Sequence, residues 1–363
     1  MGDVLGRLFT VVAVLAGAAS CERRHPAVIG LAFGEGTPGV MEVVQDELRR
    51  RYTDGSPTVR PPSPEPAEEG APGAVTLATR LTQVPGLVAV VGHADSRGSL
   101  FAAPVYDEAH IPLVVPTSTS RRLRTVSPWV FMMSPDDSLE ADFIAAFARE
   151  SLHTKAFAIF YDGDEYGIGL RDGLRTAFAA RGPRPQVEEP IALPCGSPEA
   201  AEASILRAAA TRIDLVIIAG RTRDAACLGR RLSERVRGLR IIGGDAVEHD
   251  STFDSRFGSA GAPFYAVAVW HAGVTDSASV DFARAFRRIV GATPHASEAL
   301  VFDAVMLLAE ATHAVGTRPD AMRRYLAELG GRRPPYPGVT GAVAFGSAAR
   351  RPLYMLRIER TAP

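Results

Sequence analysis

Hydroxyl groups cluster in two turns of this 363-residue chain, each directly after an apolar run: VVGHADSRGS (90–99) and VVPTSTS (114–120). Serine and threonine hydroxyls beside the free amides of a helix N-terminus suit a small carboxylate. The same residues also serve as ordinary helix caps, and taken one at a time both readings stand. A third turn, GGDAVEHD (243–250), is acidic and suits an ammonium group. A zwitterion held between such turns is dehydrated on both ends, so both of its charges need partners. In open α/β sheets, ligands bind beyond the carboxyl ends of the strands, where these turns fall.

Other chemistries lack their residues. There is no G-x-S-x-G elbow, H-E-x-x-H or C-x-x-C pair, and no serine–histidine–acid spacing that singles out a hydrolase. The eight histidines are scattered between His25 and His313 without ligand-like spacing, so no metal is expected. YDGDEYG (161–167) gathers three acids but lacks the alternation of a calcium loop; acids after a strand favour the positive end of the next helix. GEGTPG (34–39) matches G-x-G-x-x-G, yet no acid follows at the end of a second strand to hold a ribose. Its glycines are read as a tight turn from strand to helix, and no cofactor is expected. Cys195 and Cys227 sit in apolar settings and read as buried, unpaired thiols.

Net charge is −1, which supplies no basic field for nucleic acid. The first residues, MGDVLGRLFTVVAVLAGAASC, place Arg7 before a twelve-residue apolar run and small residues. That run is short of the ~20 residues a spanning helix needs, and the pattern reads as an export signal. Cys21, after Ala-Ala-Ser, resembles the acylated cysteine of a bacterial lipobox, which implies a lipid-anchored protein outside the cytoplasm.

The turns need a frame to hold them. Short, nearly continuous apolar runs read as parallel strands covered on both faces: AVIGLAF, 87–92, 112–116, 156–162, 215–220, 239–244 and 264–270. Amphipathic stretches fall between them. DSLEADFIAAFARES offers Asp137 as N-cap with Glu140 three residues on, a capping box, and Leu139, Phe143 and Phe147 on one face. GIGLRDGLRTAFAARG repeats the pattern with Leu170, Leu174 and Phe178, and Gly182 at its end. Alternation of this kind means doubly wound parallel sheets, and two such series, before and after residue 128, mean two lobes. The Pro/Glu/Gly-rich 60–73 segment is expected as a surface loop, and GGRRPPYPG (330–338) as a lobe crossover.

Five blocks, in order, resemble the type I periplasmic solute-binding proteins, in the branch that binds leucine, isoleucine and valine for ABC importers. They are VVGHADSRGSLFAAPVYDEAHIPLVVPTSTS, WVFMMSPDDSLEADFIAAF with KAFAIFYDGDEYGIGLRDGL, LVIIAGRTRDAACLGRRL with LRIIGGDAV, ALVFDAVMLLAEA, and YPGVTGAVAFGSAARRPLYMLRI. The resemblance implies an α/β fold of two doubly wound parallel-sheet lobes joined by three crossovers. It divides the chain into a signal (1–21), a first lobe (26–128 with 250–332) and a second (129–249 with 333–363). It assigns Ser96, Thr117 and Thr119 to the ligand's carboxylate end, Tyr166 to closure over the ligand and Asp245 to its ammonium, with Ser297 near the side-chain pocket. Two features depart from the pattern. The first turn is short and carries no ligand-covering aromatic, and Arg221 stands where an aromatic is usual. Arginine there suits a further anionic group, or faces solvent. The implied partners are a small amino acid-like ligand, an ABC permease and, through Cys21, the membrane. A sensing module that uses the same fold without transport is the alternative.

Overall fold

The computed structural model describes residues 26–33, 38–52, 57–60, 71–181, 185–190, 198–258, 261–346 and 351–358. The signal-like segment with Cys21, residues 34–37 of the first turn, 61–70 of the Pro-rich segment, Gly182 and Cys195 lie outside them.

The first lobe begins with β1 (Val28–Ala32), α1 (Pro38–Arg51), β2 (Thr58–Arg60), α2 (Ala71–Thr82) and β3 (Leu87–Gly92). It continues with α3 (Ser96–Glu108), β4 (Leu113–Val115), α4 (Leu123–Val126) and β5 (Val130–Met132). The sheet order is β2-β1-β3-β4-β5, all parallel. β1, β3 and β4 are buried along their whole length, as continuous apolar runs require when helices cover both faces.

The second lobe runs α5 (Asp137–Glu150), β6 (Phe157–Tyr161), α6 (Glu165–Arg181), β7 (Val187–Pro190), α7 (Pro198–Ala210), β8 (Leu215–Ala219), α8 (Thr222–Arg235), β9 (Arg240–Gly243), α9 (Ser251–Phe257) and β10 (Phe264–Ala268). The chain then returns to the first lobe as α10 (Ser277–Val290), α11 (Ala296–Val315), α12 (Pro319–Glu328) and the hairpin β11 (Tyr336–Gly338) and β12 (Gly341–Val343). It ends in the second sheet with β13 (Tyr354–Ile358), antiparallel to β10, completing the order β13-β10-β9-β8-β6-β7. α11 is apolar nearly all round because it is buried all round, from Ala299 to Ala309 without a break. Its one acid there, Asp303, is fully buried and accepts the Val339 and Thr340 amides at 2.7 and 2.8 Å, tying the hairpin to the helix.

Several expectations change. The expected boundary at 128 moves: Val130–Met132 pairs with β4, so the first lobe extends through β5. The boundary at 250 moves as well, because α9 packs on α8 and β10 pairs with β9 in the second sheet. Residues 330–338 are no crossover; Tyr336 and Val339 belong to the first-lobe core, and the return to the second lobe comes between Val343 and Tyr354. Asp136, not Asp137, caps α5, accepting the Ser138 and Leu139 amides, so the capping-box reading fails. The buried face of α5 is Ala141, Ile144, Ala145 and Ala148, while Leu139 is exposed. Cys227 is buried in α8 but disulfide-bonded, so the unpaired-thiol reading falls for it, while Cys195 lies outside the described residues. Leu170, Leu174 and Phe178 are buried together, as their spacing requires.

Candidate functional site

A cleft of about 600 Å³ lies between the lobes, lined by the turns after β1, β3 and β4, the start of α11, and the turns after β8 and β9. Ser96, Thr117, Thr119, Tyr166, Arg221, Asp245 and Ser297 all line it.

On the first lobe, Asp95 caps α3 by accepting the Gly98 amide at 2.8 Å, which fixes Ser96 as the first helical residue. Ser96 is 2% exposed, and its oxygen accepts the Thr119 and Ser120 amides, each at 3.3 Å. With the oxygen so engaged, its hydroxyl proton is left to donate toward a ligand. Thr117 donates to the Ala94 carbonyl at 3.0 Å, bracing the two turns against each other. Thr119, also 2% exposed, has a buried hydroxyl with no well-formed hydrogen bond, although it lies close enough to Asp137 to stabilise that carboxylate. The Ser96 hydroxyl proton at this end of the cleft has no acceptor on the protein among the described residues, which is what a carboxylate would supply.

Across the cleft, β9 runs into Gly243 and Gly244. A Cβ at Gly244 would overlap the Tyr166 hydroxyl and sit 2.8 Å from Leu170 and 2.9 Å from Glu140, so only glycine lets this turn close on α5 and α6. The Asp245 amide donates to Glu140 Oε1 at 2.8 Å, and the Ala246 amide to the Tyr166 hydroxyl at 3.4 Å. Burial pushes the Asp245 carboxyl up to about 6, against hydrogen bonds from Tyr166 and Glu140 that favour its charged form. Burial, reinforced by the Asp245 and Asp137 charges, holds Glu140 well above the carboxylate range. Burial also raises Asp137 to about 7.

Arg221 precedes α8 and is already paired, with Nη1 2.7 Å from Asp164 and 3.2 Å from Asp162. The acids of YDGDEYG therefore neutralise the arginine that stands in place of an aromatic. Asp164 also accepts the Gly167 amide at 3.0 Å, so these acids support the start of α6. Among the described residues, no group of three or more His, Cys, Asp or Glu could hold a metal ion. The Ser297 amide meets Glu248 Oε1 at 3.4 Å across the lobes. A second cross-lobe tie joins Ser120 and Arg122 to Glu165, at 2.8 and 3.0 Å.

Sequence reasoning missed several lining residues. Phe33, directly after β1, supplies an aromatic just before the turn that lacks one, and with Val269, Leu300 and Val301 it makes an apolar wall. Phe33 reads in sequence as the end of the first strand, but it falls just past β1, and nothing in a strand pattern says that the next residue faces a cleft. Glu140 had a signal and it was misassigned: an acid in the first turn reads as a cap, whereas here it reaches Asp245.

Two doubly wound lobes, linked by three passages of chain and enclosing a cleft at the carboxyl ends of both sheets, define a bilobal binding protein. The chain belongs to the periplasmic binding protein family, whose model matches residues 68–362. An amino acid binding protein of Pseudomonas aeruginosa is 30% identical over 197 residues, 53% of this chain and 50% of that protein, so the match spans half of that relative's length. The fold is similar to a leucine-binding protein, LivK, of Thermotoga maritima (TM-score 0.81, 19% identity, 92% of this chain and 95% of that one). It is also similar to LivJ of Streptococcus pneumoniae, solved with isoleucine (0.79, 19%, 92% and 96%). A solute-binding protein of R. palustris solved with benzoate shares the fold as well (0.76, 17%, 92% and 94%).

Proposed function

We propose that this protein is the extracytoplasmic solute-binding component of an ABC importer and closes its lobes on an α-amino acid or a closely related small polar molecule. The observation that carries this reading is the chemical asymmetry of the cleft. The Ser96 hydroxyl, with Thr117 and Thr119 beside it, lines the cleft on one lobe, and a carboxylate, Asp245, lines it on the other. A ligand with an anionic and a cationic end satisfies both, and the apolar wall of Phe33, Val269, Leu300 and Val301 takes a side chain. Arg221 adds no free positive charge, which favours a neutral side chain over a second carboxylate. The lipobox-like Cys21 supports anchoring to the membrane beside a permease.

A thermal-shift panel of the twenty L-amino acids, dicarboxylates and benzoate tests the reading. At 100 Kd a ligand adds ~2.7 kcal/mol to stability, a rise of a few degrees for a protein of this size. A rise with one or more amino acids is expected. A rise with benzoate or dicarboxylates alone would overturn the ammonium assignment.

A further inference from the structure

Glu140 lies one layer behind the cleft and has no contact with it in the lining. It is 1% exposed, in the first turn of α5, and only one of its two oxygens is engaged: Oε1 accepts the Asp245 amide, while Oε2 is buried with no partner among ordinary donors. A buried carboxylate oxygen without a donor is costly, and the cost disappears if that oxygen carries a proton and donates it. The groups around it make donation the natural state. Asp137 on α5 and Asp245 on the turn after β9 act on it directly, and Tyr166 on α6 shares their surroundings; farther out, Asp136 is paired with Arg124, Glu165 with Arg122, and Arg221 with Asp162 and Asp164. Like-charged acids at this spacing do not all ionise. The acceptor at hand is the carboxylate of Asp245, whose amide Glu140 Oε1 already accepts at 2.8 Å, with the Tyr166 hydroxyl on the neighbouring Ala246 amide at 3.4 Å.

We propose that Glu140 is a positioning residue for ligand recognition: as a neutral acid it accepts the Asp245 amide on one oxygen and donates from the other to the Asp245 carboxylate. Together with the Tyr166 hydroxyl it then fixes that carboxylate so that a single negative charge faces the cleft. This rests on the reading of Asp245 as the ammonium partner. Two consequences follow for recognition. The acidic layer presents one charge rather than two, matching one ammonium group. The Asp245 side chain is also oriented before the ligand arrives, so closure does not have to order it.

The test uses the ligand-free protein, followed by infrared spectroscopy as a function of pH, with Asp245→Asn to assign the Asp245 carboxylate band. At pH 7, in an Asp137→Asn background that removes the other carboxyl protonated near that pH, the protein is expected to show a protonated carboxylic acid band that is lost when Glu140→Gln is added. Glutamine keeps both an acceptor and a donor, so in Glu140→Gln the Asp245 titration should stay near its wild-type midpoint of about 6. Glu140→Leu removes the donor, and the midpoint should move up by about one pH unit, the size expected for losing one hydrogen bond to a charged group. Survival of the acid band when Glu140→Gln is added to that background, or an unmoved Asp245 midpoint in Glu140→Leu, overturns the proposal. Failure of the amino-acid reading shows differently, as unchanged ligand affinity in Asp245→Ala, and leaves the infrared result intact.

Discussion

Arg221 shows how a residue's chemistry depends on what already touches it. In sequence it reads as a spare positive charge at the cleft; in the structure Asp162 and Asp164 neutralise it, with its side chain 45% exposed. Exposed pairs of this kind contribute less than ~1 kcal/mol, so Arg221→Ala should change amino-acid affinity by less than about fivefold, read by calorimetry. Asp137 gives a sharper prediction. Its folded-state value of about 7 lies above the ordinary 3.8, so the folded protein keeps a proton that the unfolded chain releases between those two values. The site's contribution to stability is therefore lost as pH rises from about 4 through 7. Asp137→Asn should raise stability by ~1–3 kcal/mol at pH 8, with the gain fading by pH 4, measured by denaturant unfolding at both values. The turns that hold Ser96, Thr119 and Asp245 were legible because hydroxyls and acids directly follow apolar strands, while the choice of these residues within them came from the family resemblance. Asp137 and Glu140 were not, since helix-start acids look alike whether they cap the helix or are buried against another acid.

At the scale of elements, the packing of α5 on α6 and of α6 on its preceding turn rests on glycine. A Cβ at Gly167 would overlap the Asp162 carbonyl, one at Gly169 would overlap the Asp137 carboxylate, and one at Gly173 would lie 2.9 Å from the Asp137 carbonyl oxygen. These glycines let α6 approach closely enough to aim Tyr166 at the turn after β9. Gly167→Ala should destabilise the protein by ~1–3 kcal/mol and weaken ligand binding with it, through displacement of Tyr166; denaturant unfolding and calorimetry report the two effects. Strands with continuous apolar runs were plain in the sequence, and β1, β3, β4, β6, β8, β9 and β10 fall where those runs are. β7 and β13 were not, because edge strands are half exposed and lose the buried pattern. A run of apolar residues also says nothing about which sheet it joins. β5 and β10 each pair with the lobe opposite to the one expected, and only tertiary pairing decides that.

Both sheets end at the same cleft, and among the described residues the ties across it include Ser120 and Arg122 to Glu165, Ser297 to Glu248 and the Asp137 amide to the Thr119 carbonyl, all of them polar. Lobes joined this way move as bodies about their crossovers, and a ligand that touches both favours the closed form. Small-angle scattering should record a smaller radius of gyration with a bound amino acid than without it. The most direct test of the central claim is a calorimetric comparison of the best-binding amino acid with the same molecule lacking its ammonium group, on the wild type and on Asp245→Ala. A buried charge contact of this kind contributes ~2–4 kcal/mol, so the wild type should prefer the amino acid by about thirtyfold or more, and Asp245→Ala should erase that preference. Equal affinity for the two molecules in the wild type, or an undiminished preference in Asp245→Ala, would contradict the account.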